Sequence, residues 1–326
     1  MTYMQDTLIL PQSELAEFPA GRISLNAETA FRSRALSELK MKRILLPFDL
    51  SRPSVSALRA VANLAAKNGA TIHLLHVVNL ADDPEVEPKS NRSDDTMAEA
   101  AERLLKHWVK RIVPDRVQTF VNVRIGRPVD LIVTRAVAAR ADLIVMTSRA
   151  SSGQELQRST AERVSRLAPC PVLTIPEKCA DQWAYSPDDT LSENWRTVLM
   201  PVDFSAAADV ALSYASAMAL QKEAKLLLAH GADVEDSDVP VVHARLMSWS
   251  RERLEDASHC STAVWPGGHS LYAILAEAIR AEARLIVLPT RAQPWAERLR
   301  AGSITDGVLR QASCPVLSIN ENVSIL

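Results

Sequence analysis

The chain repeats itself, and the repeat restricts what it can fold into more than any single motif does. "KRILLPFDLSRPSVSALRAVANLAAKNGATIHLLHVV" begins at Lys42, and "RTVLMPVDFSAAADVALSYASAMALQKEAKLLLAHGA" begins at Arg196. Each passage reads as an apolar strand, a Pro-x-Asp-x-Ser turn, a helix, and a second strand ending near a histidine. Asp49 and Asp203 are 154 residues apart, and so are His76 and His230. "ADLIVM" from Ala141 returns as "ARLIVL" from Ala283 at an offset of 142, and "APCPVLTI" from Ala168 returns as "ASCPVLSI" from Ala312 at 144. Blocks matched in the same order, with small length changes between them, mean two copies of one unit.

Within the first copy the runs "RILLPF", "TIHLLHVV", "VQTFVNV", "DLIVM" and "PVLTI" are short and apolar, as strands buried on both faces are. Helical patterns separate them. One of these, "SVSALRAVANLAAKNG", stops at Gly69, a residue suited to closing a helix. Strict alternation of this kind predicts the α/β class, with two repeats of a five-stranded parallel sheet carrying helices on both faces. Residues 1–40 lie outside the repeat as an N-terminal extension. Residues 41–176 form the first domain, the polar stretch 177–194 reads as a linker, and 195–326 form the second domain.

Hydrophobic residues make up 47% of the 326, enough for two ordinary cores. The net charge of −2 argues against a whole-chain nucleic-acid binder, so no nucleic-acid partner is expected. Four scattered cysteines without a C-x-x-C pair read as reduced thiols, not as a disulfide framework or a zinc site. The N-terminus has no basic region followed by an apolar core, and no apolar run approaches the roughly 20 residues of a membrane span. The expected location is the cytoplasm, with no membrane partner.

In open parallel sheets, ligands sit at the carboxyl ends of strands. Three places there could carry chemistry. The turn after strand one holds Asp49 and Ser51, and Asp203 and Ser205. Such a carboxylate can accept from an adenine amino group or a ribose hydroxyl; alternatively, Asp or Ser caps the helix that follows. The loop after strand four ends in "RSTAERV" and "GSITDGV". Gly302, Ser303 and Thr305, with Ser159 in the first copy, could cradle a phosphate through backbone N–H groups, hydroxyls and a helix N-terminus. Arg149, Arg158 and Arg291 lie in the same loops and could draw an anion. The third place is the end of strand two, where a buried histidine, His76 or His230, reads as structural.

"ILLPFDLS" and "VLMPVDFS", "LLHVV", "ADLIVM", "STAERVSRLAPCPVL" and "GSITDGVLRQASCPVL", in order and twice, resemble the universal stress protein family in its tandem form. The resemblance implies a five-stranded parallel α/β domain in each copy. Nucleotide-binding members carry G-x-x-G, nine residues, then G-[ST] after strand four. In the second copy that register gives Pro289, Ala292, nine residues, then Gly302 and Ser303. In the first it gives Thr147, Ala150, seven residues, then Arg158 and Ser159. The family's adenine-contacting aspartate corresponds to Asp49 and Asp203, and its strand-two valine to Val77, where the second copy has Gly231.

The expectation is therefore a non-catalytic stress-response protein with degenerate nucleotide loops that binds a protein partner or a small ligand, and that needs no cofactor or metal. The alternative is an ATP-binding sensor using mainly the second domain through Asp203, Gly302 and Ser303. Asp49, Val77 and Ser159 mark the corresponding place in the first. No Walker lysine, dinucleotide fingerprint or nucleophile elbow is present. His259, Cys260 and His269 lack zinc-like spacing. The resemblance also implies that "CPVLTI" and "CPVLSI" pair the two domains as an internal pseudo-dimer, with a homodimer of the whole chain and an unidentified protein partner as further expectations.

Overall fold

The structure is a computed structural model, described here for residues 41–79, 92–148, 160–184, 196–233, 238–254, 256–268, 270–290, 304–321 and 323. The first half runs β1 (Arg43–Pro47), α1 (Arg52–Asn68), β2 (Thr71–Val78), α2 (Arg92–Ile112), β3 (Thr119–Ile125), α3 (Pro128–Ala139), β4 (Leu143–Ser148), α4 (Thr160–Leu167), β5 (Val172–Pro176) and α5 (Glu177–Ala184). The second runs β6 (Thr197–Pro201), α6 (Ala206–Gln221), β7 (Lys225–Ala232), α7 (Val239–Arg251), β8 (Cys260–Pro266), α8 (Leu271–Arg280), β9 (Ala283–Thr290), α9 (Ile304–Gln311) and β10 (Val316–Asn320). Local signals fix several ends. Ser51 caps α1, and Gly69 closes it at φ 59°, a conformation glycine adopts without strain.

All ten strands form one sheet, in the order β3-β2-β1-β4-β5-β10-β9-β6-β7-β8. Every neighbouring pair is parallel except β5 with β10, which meet antiparallel with Leu317 opposite Leu173. Alternate residues of each strand serve opposite layers. On one side a single core cluster crosses both halves, from Leu105 on α2 through Leu58, Leu173, Leu317 and Tyr214 to Trp249 on α7. On the other side the core is in two parts, one under α3 and α4 and one under α8 and α9. No helix among the described residues is long and apolar enough to cross a membrane.

The seam between the halves is reciprocal. Ser148, last in β4, donates its hydroxyl to the carbonyl of Leu309 at 2.6 Å, and Thr290, last in β9, donates to the carbonyl of Ser165 at 3.4 Å. Ser148 and Thr290 are equivalent positions of the repeat, and so are Ser165 and Leu309. Asn320 adds donations from Nδ2 to Ser165 and Ala168 at 3.0 Å, and Lys178 reaches the carbonyl of Gln311 at 2.5 Å. The last carbonyls of a helix lack intrahelical donors. Here each half supplies donors to a helix end of the other.

The start of the stretch that reads as a linker is ordered differently from that reading. Residues 177–184 are α5, which lies on α1. Its Cys179 and Ala180 are buried, and Asp181 accepts from Arg52 Nη2 and from Ser56 Oγ, both at 2.8 Å. The polar composition hid two adjacent small apolar residues that this helix buries.

Candidate functional site at the strand ends

In each half the chain leaves the first strand toward one edge and later crosses to the fourth strand on its other side. The carboxyl ends of β1 and β4, and of β6 and β9, therefore flank the crevice where such sheets hold ligands. The turn after β1 places Leu50 at φ 64°, and the turn after β6 places Phe204 at φ 55°. A left-handed conformation costs a side-chain-bearing residue about 1 kcal/mol, so something must hold it. Asp49 and Asp203 do so. Oδ1 of each accepts the backbone N–H two residues on, from Ser51 and from Ser205, at 3.0 Å. Each also accepts a hydroxyl, from Ser54 at 2.6 Å in the first half and from Ser205 at 2.5 Å in the second.

The capping alternative holds for the serines of these turns and not for the aspartates. The helix caps are Ser51 and Ser205, whose hydroxyls accept from the backbone N–H of Ser54 and Ala208 at 3.3 Å. The aspartates build the turns that present those caps. The strand-two histidines support the same turns. Nδ1 of His76 lies 2.7 Å from the carbonyl of Phe48, and Nδ1 of His230 lies 2.6 Å from that of Val202. A carbonyl only accepts, so Nδ1 carries the proton in both.

At the end of strand two the halves differ. Val77 is half-buried against the core under α3. At Gly231 a β-carbon would meet the carbonyl oxygen of Gly268 at 2.3 Å and Nε1 of Trp265 at 2.7 Å. Trp265 Nε1 donates to that same carbonyl at 3.3 Å, and Gly268 sits at φ 75°. The backbone after β8 thus fills space that a side chain at position 231 would need. The sequence exposed the glycine but gave no sign of Gly268, which lies 37 residues away.

Ser159, Gly302 and Ser303 lie outside the described residues, as do Arg149, Arg158, Arg291 and His269. Thr147 and Pro289, read as loop positions, instead belong to the ends of β4 and β9, with Pro289 opposite Ile319. Thr305 stands in the first turn of α9. His259 directs Nε2 toward the hydroxyl of Ser216 at 3.5 Å. Burial pushes the Cys260 thiol up to about 11, and those of Cys170 and Cys314 up to about 12. Thiols raised in this way are held protonated near neutral pH, which disfavours the nucleophilic thiolate.

A sequence model of the Universal stress protein family matches residues 40–176 and 194–320. A curated universal stress protein of Methanocaldococcus jannaschii is 31% identical over 140 residues, covering 41% of this chain and 81% of that relative. Among solved structures, a universal stress protein from Archaeoglobus fulgidus aligns with a TM-score of 0.65 at 24% identity, over 86% of this chain and 97% of that one. A functionally unknown protein from Pseudomonas aeruginosa aligns with a TM-score of 0.55 at 16% identity, over 89% and 95%. These two likenesses concern the fold alone. With the sequence matches to both copies, the chain belongs to the universal stress protein family as a tandem of two such domains.

Proposed function

We propose that this protein is a non-catalytic stress-response protein that acts by binding a protein partner or a small ligand. Neither crevice serves as an ATP site in this reading. One observation carries it. The second copy keeps Gly302 and Ser303, yet Gly231 stands where nucleotide-binding relatives place a valine, with the Gly268 carbonyl against it. The first copy keeps Val77 but has none of the motif glycines, Gly153 lying out of register, and two fewer loop residues. Each crevice thus departs from the binding pattern at a different place. Asp49 and Asp203 support the non-catalytic part, because each carboxylate is engaged in holding its own turn.

Native mass spectrometry of freshly purified full-length chain tests this. The expected result is protein without a retained adenine nucleotide, whose mass does not change when ATP and Mg²⁺ are added. Stoichiometric nucleotide would overturn the reading in favour of a sensor using the second domain. Asp203, Gly302 and Ser303 favour that alternative, and Gly302→Trp would then abolish retention. Time-dependent release of ADP would overturn both.

A further inference from the structure

β3 is an edge strand of the ten-stranded sheet, so the outer side of its backbone has no strand partner among the described residues. Its sequence, "TFVNVRI", contains no proline and a single charge, Arg124. Cations gather beside its amino end. α2 packs on β3 and ends in Lys110 and Arg111, and the connecting loop adds Arg116. Farther along the same end of the sheet, Arg140 caps α3 ahead of β4, and Lys42 precedes β1 and donates from Nζ to the carbonyl of Asn68 at 2.6 Å. All five are exposed, and Asp115 is the exposed carboxylate among them. Cations at helix C-termini can simply complement the helix dipole. The second half is the control for that explanation. At the positions of Lys110, Arg111, Arg116, Arg140 and Lys42 it has Arg251, Glu252, Ala257, Glu282 and Arg196, and Arg196 is bonded to Glu282 at 2.6 Å. The same helix ends there set Glu252 and Glu282 beside Arg251 and Arg196, a mixed surface, so the fold does not require an excess of cations.

The edge also holds a fixed aromatic ring. Phe120 on β3 is 43% exposed, and one ring face stacks on His73 with centroids 5.0 Å apart. His73 is held in turn by Arg135, whose Nη2 lies 3.1 Å from Nδ1. The second half has Ser261, Leu227 and Glu277 at these three positions.

We propose that this edge docks an extended acidic segment of a partner protein. The segment adds its backbone to β3 as a further strand, covers Phe120 with an apolar side chain, and lays carboxylates over Arg116, Arg111 and Lys110. A peptide fits better than a nucleic acid. Its amides match an open strand edge, whereas one aromatic ring makes a poor stacking platform for successive bases. The surface lies away from the crevice at the strands' carboxyl ends, so its test is independent of the nucleotide test.

The probe is a fluorescein-labelled peptide of about six alternating valines and threonines followed by about four glutamates, about two short strands in length. Its binding to the full chain is read by anisotropy at low salt. Binding is expected to weaken as salt rises. Lys110→Glu combined with Arg111→Glu should reduce affinity about tenfold, or about 1.4 kcal/mol. Phe120→Ser should reduce it severalfold, alternate N-methylation of the peptide should abolish it, and Arg251→Glu in the second half should leave it unchanged. Circular dichroism checks that each variant is folded. The proposal is overturned by no binding to the full chain, by equal weakening with Arg251→Glu, or by indifference to N-methylation. It is also overturned by tighter retention of a single-stranded oligonucleotide through the same cations.

Discussion

A β-carbon at Gly231 would stand 2.3 Å from a backbone oxygen, and backbone yields less readily than a side chain. Gly231→Val, which restores the residue of the other copy, is therefore expected to destabilise the protein by about 1–3 kcal/mol through overpacking. Urea unfolding measures this, and unchanged stability would mean that the loop after β8 moves aside freely. His73 makes a second single-residue prediction. Burial pushes its pKa below the usual 6.5, and the charges of Arg135 and Arg43 push the same way. Above that value both folded and unfolded chains hold it neutral. As pH falls through 6.5 the unfolded chain takes up the proton first, so stability drops until the folded pKa is also passed. His73→Leu, the second copy's residue, should make stability less steep in pH as pH falls below 6.5. An unchanged slope would assign the dependence to other groups. Sequence alone singled out Gly231 by comparing copies, but it passed over His73, because nothing local says that Phe120 and Arg135 enclose it.

Elements were more legible than contacts. The five apolar runs of the first copy and the stop at Gly69 anticipated its strands and α1, because each signal lies within a few residues of its effect. The seam was not legible, since Ser148 finds its acceptor 161 residues away and Thr290 finds its own 125 away. The left-handed turns at Leu50 and Phe204 were also hidden, as these residue types rarely adopt that conformation and the aspartates that hold it read equally well as caps. Two predictions belong to the seam. Asn320→Ala removes donors to the carbonyls of Ser165 and Ala168 and should lower stability by about 1–3 kcal/mol. Thr174 in β5 and its equivalent Ser318 in β10 are buried with hydroxyls that find no partner among the described residues. Thr174→Val keeps the shape and removes the unsatisfied group, so it should raise stability by about 1 kcal/mol. A loss in chemical denaturation would instead mean that the hydroxyl holds an ordered water.

For the molecule as a whole, the question is whether the two copies unfold as one. The two helix layers suggest different answers. Under α3, α4, α8 and α9 the core is split between the halves, so those helices could loosen locally. Under α1, α2, α5, α6 and α7 it is continuous, and Leu173 and Leu317 meet at its centre on paired strands. A truncation at that centre withdraws contacts from both halves at once. Leu317→Ala should therefore lower stability by about 2–5 kcal/mol. It should also lower hydrogen-exchange protection by the same free energy in β2 and β7, which belong to different halves and touch neither β5 nor β10. If protection falls in β7 while β2 keeps its wild-type value, the halves open separately. The split layer would then set cooperativity, and the tandem would behave as two domains joined by one pair of strands. Equal loss in both would make the duplicated chain a single folding unit, held together by the core that crosses the paired strands.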